Sequence, residues 1–235
     1  MRIFVLSGAG ISAESGMGTF RDSGGIWEHH DPMKLATPEA FAADPEIVQA
    51  FYNARRANLR AAEPNPAHAA LARLEAGLAA VSGSLFLCTQ NIDDLHERAG
   101  SFHVHHMHGE LFKARCTACG SVHDWREDLG RDDHCNACGT TGRLRPHIVW
   151  FGEIPFGLDA IGEALASADL FVAIGTSGSV YPAAGLVREA RMMGLRTCEL
   201  NLEPSDNAHA FDERAYGPAS EVVPDFVARV LAELR

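Results

Sequence analysis

Lysine is nearly missing from this chain: Lys34 and Lys113 are the only two in 235 residues, and arginine carries the rest of the positive charge. That bias assigns no function by itself. Basic residues in total are outnumbered by acidic ones, 20 to 31, for a net charge of −11. A chain of that sign repels phosphate backbones, which argues against nucleic acid as a partner and for free solubility. Long hydrophobic runs are missing too. No apolar stretch approaches the roughly 20 residues needed to span a bilayer, so no membrane partner is expected. The opening "MRIFVLSGAG" holds too short an apolar stretch for a secretory leader and runs straight into glycines, so the first residues are expected to be fold already and the location cytoplasmic. There is no internal repeat and no low-complexity tract.

What is present begins with cysteine. Four of the six cysteines form two Cys-x-x-Cys pairs, Cys116 with Cys119 and Cys135 with Cys138, with fifteen residues between them. In a reducing compartment metal is a better reading of such pairs than disulfides, and this spacing closes a tetrahedral zinc site. Four thiolates leave no open coordination position, so the metal is expected to hold a small module together and not to activate water. A redox dithiol is the alternative, and two matched pairs fit it poorly. Between Cys116 and Cys138, Arg126 and Arg131 face Asp124, Glu127, Asp128, Asp132 and Asp133, so no phosphate-binding face is visible. His123 and His134 are expected to be solvated. Cys88 and Cys198 lie in apolar strand-like runs and read as buried thiols.

A length of 235 residues suits one large core with a smaller appendage. The β-type runs "RIFVL", "LFLCT", "LFVAIG" and "RTCEL" alternate with helical patterns such as "NPAHAALARLEAG", where Asn65 reads as the N-cap, Pro66 as the first turn and Gly77 as the end. This alternation implies an α/β fold, a mostly parallel sheet with helices on both faces. Two segments interrupt it: one over about 24–63, carrying the predicted helix "DPEIVQAFYNARRANLRAA", and one over about 112–145 with the cysteine pairs. The C-terminal "VVPDFVARVLAELR" has helical spacing and is expected to pack on the sheet.

Gly8 and Gly10, followed by Ala13, come directly after the first strand and satisfy G-x-G-x-x-[G/A], a turn that lets backbone N–H groups approach a pyrophosphate at a helix start. A purely structural turn would look the same. No acidic residue ends a second strand about twenty positions on, so a ribose-binding group must come from elsewhere. Asn201 and Glu203 end one later strand, and Gly175, Thr176 and Ser177 follow another. In an open α/β sheet such strand ends converge on one ligand crevice.

The stretch "HVHHMHGE" packs four histidines into six residues. As a strand it would point His103 and His105 to one face and His106 and His108 to the other, so a second metal site is not expected. His108 stands apart, just before Gly109 at the joint between the sheet and the cysteine module, and a cleft between domains is where ligands are usually held.

The stretches "GAGISAESGMGTFRD", "TQNIDDLHERAG", "HGELFKARC", the cysteine pairs, "RPHIVWFGE", "GTSGSVYPAA" and "LNLE" resemble, in this order, those of the sirtuins, NAD-dependent protein lysine deacylases, and among them the bacterial CobB-type members of class III. The resemblance spans nearly the whole chain. It implies a single sirtuin-type domain over 1–235. A Rossmann-like part would cover about 1–25, 64–111 and 146–235. A small part would cover about 26–63, a helical insertion, and 112–145, the zinc module. It implies two cofactors, NAD as co-substrate and one structural zinc, with acyl-lysine proteins as partners and a monomeric chain. His108 becomes the general base, assisted by Asn91: the acyl oxygen attacks the nicotinamide ribose as nicotinamide leaves, and the products are free lysine, nicotinamide and 2′-O-acyl-ADP-ribose. The resemblance assigns NAD contacts to Gly8, Ala9, Gly10, Ser12, Ala13, Phe20, Arg21 and Trp27 on the first loop. Gln90, Asn91, Ile92 and Asp93 reach the ribose and nicotinamide. Gly175, Thr176, Ser177, Asn201, Leu202, Glu203 and Ala219 lie toward the pyrophosphate and adenosine. Val149, Phe151, Gly152 and Glu153 on one side and Gly178, Val180 and Tyr181 on the other would flank the substrate peptide as paired strands. Met17 and Gly18 depart from the family pattern at positions that often carry isoleucine and proline or arginine.

By spacing alone, Tyr52 and Arg55 share one helix face and would be solvated. The resemblance reverses this: Tyr-x-x-Arg with small Ala36 upstream is similar to the acyl pocket of sirtuins that remove succinyl and malonyl groups, a guanidinium and a phenol together suiting a carboxylate. Arg56 is expected to face elsewhere. Desuccinylation, demalonylation and deacetylation are all implied. Two other readings stay open at this stage: a protein ADP-ribosyltransferase, which needs the same cofactor site, and a non-enzymatic zinc-ribbon binding module.

Overall fold

Apolar residues fill both alternating sets of "RIFVLS": Ile3 and Val5 enter one buried cluster, Phe4 and Leu6 another, so the strand they form is covered on both faces. The computed structural model describes residues 1–18 and 35–234. In chain order it runs through β1 (Arg2–Ser7), two 3-10 turns (Ala9–Ile11 and Ala13–Ser15), α1 (Pro38–Ala43), α2 (Pro45–Ala61), α3 (Pro66–Ala80), β2 (Ser84–Thr89), α4 (Leu95–Arg98), β3 (Val104–His106), β4 (Gly109–Cys116), β5 (Val122–Asp124) and β6 (Leu144–Ile148). It continues through α5 (Leu158–Ser167), β7 (Leu170–Ile174), α6 (Leu186–Met192), β8 (Arg196–Asn201), β9 (Glu213–Tyr216) and α7 (Ala219–Glu233). Among the described residues, no helix is long and apolar enough to cross a membrane.

Six strands form one sheet in the order β3-β2-β1-β7-β8-β9, and every pairing is parallel. The chain builds outward from β1 through β2 to β3, then crosses back to place β7 on the other side of β1. In such a sheet the ligand crevice opens at the carboxyl ends of the two strands flanking that reversal. α3 and α7 cover one face and α5 and α6 the other. Leu71, Leu74 and Leu78 of α3 are fully buried, each contributing about 2 kcal/mol by leaving water.

Asn65 caps α3 as expected: its side chain accepts from the Ala67 N–H, and its own N–H is taken by His68 Nδ1. Gly77 does not end this helix, which runs on to Ala80. A Cβ at Gly77 would collide with the Leu231 side chain, so the glycine serves the close approach of α7, a pressure that local sequence does not reveal.

The second sheet is small and antiparallel, β5-β4-β6, and starts where Gly109 pairs with Ile148. α2 docks on it through polar side chains that satisfy backbone groups. Gln49 Nε2 donates to the Leu144 carbonyl (3.0 Å) and Arg56 Nε to the Leu111 carbonyl (3.0 Å), while Asn53 both donates to and accepts from the Leu129 backbone. Arg56, turned away from Arg55 as expected, is fully buried, and burial pulls its pKa down to about 10, so it still docks as a cation.

Candidate active site

The loops that follow β1, β7 and β8 are laced by backbone hydrogen bonds. The Gly8 N–H donates to the Ile174 carbonyl (2.9 Å), Gly10 N–H to Gly175 (2.8 Å) and Gly175 N–H to Leu200 (2.9 Å). A Cβ at Gly10 would lie 2.7 Å from Gly175 Cα, so these backbones meet only because neither residue has a side chain. One expectation fails here: the glycine loop does not open into an α-helix. It passes through the two 3-10 turns, and Gly16, at φ 79°, ends the second in the left-handed region. Backbone bonds close the turns: the Ser12 N–H donates to the Ala9 carbonyl and the Gly16 N–H to the Ala13 carbonyl, both at 3.1 Å. Gly10→Ala is expected to destabilise the fold by about 1–3 kcal/mol in urea unfolding. Gly162→Ala, inside α5 with open space around its Cα, is the control and should be neutral or stabilising by up to about 1 kcal/mol.

Beneath the loop lies a buried polar network. Asn91 Nδ2 donates to the Gly8 carbonyl and to Ser12 Oγ, both at 3.1 Å, and the Asn91 N–H donates to Thr89 Oγ1 (3.0 Å). Ser7 Oγ meets Thr89 Oγ1 and His96 Nε2, each at 2.9 Å, and Ser12 Oγ meets His68 Nε2 at 3.3 Å. Burial holds both imidazoles neutral, pulling His68 down to about 4 and His96 well below the ordinary histidine range. Sequence reasoning missed Ser7, His68, Thr89 and His96; a lone polar residue in an apolar strand or helix carries no local mark of a partner far along the chain. Asp93 is buried beside them. Burial raises its pKa, against hydrogen bonds from the Leu95 N–H and the Ser12 hydroxyl.

On the far side of the crevice, Gln90 Nε2 donates to Thr176 Oγ1 (3.0 Å) and Asn201 Nδ2 to the Thr176 carbonyl (2.8 Å). Asn201 Oδ1 also accepts from the Leu202 N–H, so this side chain braces two loops. Leu202 and Glu203 are exposed, Ser177 bonds Ser179, and Ala219 opens α7. Ala9 and Ala13 open the two 3-10 turns, and Ile92 packs against the cluster around α2. Phe20, Arg21 and Trp27 lie outside the described residues.

Each histidine of "HVHHMH" has its own partner. His103 meets Glu75, His105 meets the Phe156 carbonyl, and His106 bridges Glu97 and the Asn91 carbonyl. His108 Nδ1 sits 3.1 Å from the Gln90 carbonyl. A carbonyl only accepts, so Nδ1 carries the proton and Nε2 is left as the accepting nitrogen. Burial lowers the His108 pKa, with the Gln90 carbonyl opposing, and the ring is neutral at pH 7.

Strand pairing brings the next elements to His108. The Val149 N–H donates to the His108 carbonyl (2.9 Å) and the Phe151 N–H to the Ala36 carbonyl (2.9 Å). Glu153 accepts from both Arg145 Nη atoms (2.7 and 3.0 Å) and from the Trp150 N–H (2.8 Å), so its carboxylate braces this segment. Phe151, Gly152, Val180 and Tyr181 are exposed, while Gly178 is buried against Asn207. Ala36, Tyr52 and Trp150 share one buried cluster with Leu111 and Ile148. Tyr52 is therefore not on a solvated face: its hydroxyl accepts from Trp150 Nε1 (2.9 Å), and burial pushes its pKa up to about 12. Arg55 is half-buried, its guanidinium 5.7 Å from the Phe51 ring centroid. Burial lowers its pKa, against the attraction of Tyr52 and Asp93.

The four paired cysteines converge as expected. Cys116 and Cys138 sulfurs are 3.8 Å apart, Cys119 and Cys135 3.7 Å, and all four lie within 4.8 Å of one another. A tetrahedron with Zn–S bonds of 2.3 Å has edges of about 3.8 Å, so the donor set fits zinc. Hydrogen bonding, from Ser121 above all, pulls the Cys135 thiol down to about 5, toward the thiolate a metal needs. His134 is exposed, but His123 is not solvated: its Nε2 lies 2.9 Å from Ser121 Oγ and 3.3 Å from Cys135 Sγ, because β5 pairs with β4 and carries it back over the cluster. Among the described residues, Ala114, Cys116, Leu129, Cys135 and Leu144 form the core beside the cysteines, with Trp125 packed against it, a core small enough to need the metal's support. One zinc per chain is expected by elemental analysis, and stripping it with a chelator should abolish the circular-dichroism contribution of this sheet; full retention of structure without metal would contradict the assignment.

Residues 8–182 match the Sir2 family. The chain belongs to the Sir2 family. Among Sir2 relatives, the "NAD-dependent protein deacylase" of Caulobacter vibrioides is 62% identical over 234 residues, covering 100% of this chain and 98% of that protein. A crystal structure of a Sir2 homologue in complex with NAD superposes with a TM-score of 0.89 at 38% identity, covering 100% of this chain and 91% of that one. A triple mutant of a Sir2 homologue bound to 2′-O-acetyl ADP-ribose gives 0.88 at 38% identity, covering 99% and 93%.

Proposed function

We propose that this chain is an NAD-dependent protein-lysine deacylase that removes succinyl and malonyl groups as well as acetyl groups, passing the acyl group to ADP-ribose and releasing nicotinamide. The observation that carries this reading is a continuous path: the His108 carbonyl accepts from Val149, and the next residue, Trp150, donates to the Tyr52 hydroxyl beside Arg55. Two consecutive residues after β6 thus connect the proposed base to the proposed acyl pocket.

NAD supplies an electrophilic ribose carbon, a nicotinamide leaving group and a ribose hydroxyl that receives the acyl group. Gly8, Gly10, Ser12, Thr176, Ser177 and Asn201 would hold it along the crevice, and Gln90, Asn91, Ile92 and Asp93 would face its nicotinamide end. His108 Nε2 takes the proton from the ribose hydroxyl, while the Gln90 carbonyl fixes the tautomer that allows this. The peptide lies between 149–153 and 178–181 as an added strand, which makes affinity largely main-chain and sequence selectivity low. Arg55 and the Tyr52 hydroxyl receive the acyl carboxylate, with Ala36 leaving room for it. We assign the cofactor to the large part of the chain and the acyl group to the seam with the small part; we place the enzyme in the cytoplasm on its metal-type cysteine pairs, and as a monomer on its family resemblance. The test is release of nicotinamide from NAD in step with free lysine from a succinyl-lysine peptide; nicotinamide release with no loss of acyl groups would overturn the reading in favour of transfer or hydrolysis.

A further inference from the structure

Trp150 is locked more firmly than a core tryptophan needs to be. The residue is 2% exposed, the Arg145 guanidinium stacks 3.4 Å from its ring centroid, and the Phe41 ring packs on it at 5.2 Å, tilted by 45°. Arg145 is itself pinned by two bonds to Glu153 and one to the Ile148 carbonyl (2.7 Å). The indole therefore cannot turn away from the Tyr52 hydroxyl. An indole N–H donates and never accepts, whereas a phenol has one proton and can do either. With one lone pair of Tyr52 taken by Trp150, the hydroxyl proton is directed away from Trp150.

We infer that Trp150 is a specificity-positioning residue: by always donating to Tyr52, it makes the phenol a dedicated donor for an acceptor at the far end of the acyl chain. This rests on the acyl-pocket reading above. A succinyl or malonyl carboxylate ends in acceptors and gains from a hydroxyl already turned outward, with no reorganisation on binding. An acetyl group has no such terminus and gains nothing. Burial, which holds Tyr52 protonated at every working pH, supports the same role. Trp150 touches neither the reacting atoms nor the acyl group; it acts through Tyr52.

The test is the ratio of kcat/KM for succinyl-lysine over acetyl-lysine on one peptide, which cancels general damage to the fold. Four proteins are compared: the unaltered chain, Trp150→Phe, Tyr52→Phe and the double variant. Because phenylalanine is smaller than tryptophan, a further protein carries 3-benzothienylalanine at position 150, which keeps the two-ring shape and lacks only the N–H. The ratio should fall about fivefold with either change at 150, the scale of ordering one hydrogen bond, and should fall no further when Trp150→Phe is added to Tyr52→Phe. An unchanged ratio with benzothienylalanine, or the same fivefold loss in the Tyr52→Phe background, overturns the inference. Failure of the underlying reading looks different: the unaltered chain does not desuccinylate, or Tyr52→Phe leaves its ratio intact, and the role of Trp150 then falls with it.

Discussion

His108→Ala is expected to lower kcat/KM on acetyl- and succinyl-lysine peptides alike by a factor of at least about 100, the usual contribution of a positioned general base. Zinc should remain bound at the unaltered stoichiometry, since the cysteine cluster makes no use of this side chain. The equal loss on both substrates matters, because a base that serves the ribose hydroxyl is indifferent to the acyl group. The pH dependence gives an independent check. Nε2 must be unprotonated to act, so activity is lost as pH falls through the folded pKa of His108. Burial sets that pKa below the ordinary histidine value, so the acid limb of kcat/KM should lie below pH about 6.5. Turnover retained in the alanine variant would remove His108 from the mechanism.

Arg55→Met should depress desuccinylation by about 100-fold and deacetylation far less. Methionine keeps the length of the side chain and removes the charge, so a half-buried carboxylate loses its partner, a change worth about 2–5 kcal/mol. An acetyl group presents no carboxylate and loses only packing. The assay is steady-state kinetics on one peptide sequence carrying either group. Equal losses on both substrates would show that Arg55 supports the fold of α2 and does not read the acyl chain.

What could be read from the chain alone follows the range over which each signal acts. The Cys116 to Cys138 cluster was legible because its geometry is encoded in short spacings, and its sulfurs do lie at tetrahedral distances. The parallel sheet is legible because β1, β2 and β7 are apolar on both faces. Gly77 misled because its helix-stopping habit yields to a contact with Leu231, far away in sequence. The glycine loop misleads in part: it curls through two 3-10 turns that end at Gly16, and the residues below it, His68 and Asn91, cannot be seen from the loop itself. Spacing puts Tyr52 and Arg55 on one face but does not show that Tyr52 is buried, because the residues that cover it include Trp150, 98 residues away. The same distance hid Trp150 as a partner. His123 reads as solvated in the sequence because only the pairing of β5 with β4 brings it back to Cys135.

The central claim is tested most directly by mass spectrometry of matched acetyl- and succinyl-lysine peptides incubated with the protein, with and without NAD. Both peptides should lose their acyl mass only when NAD is present, and acyl-ADP-ribose should appear in equal amount. Consumption of NAD with both peptides unchanged would contradict it.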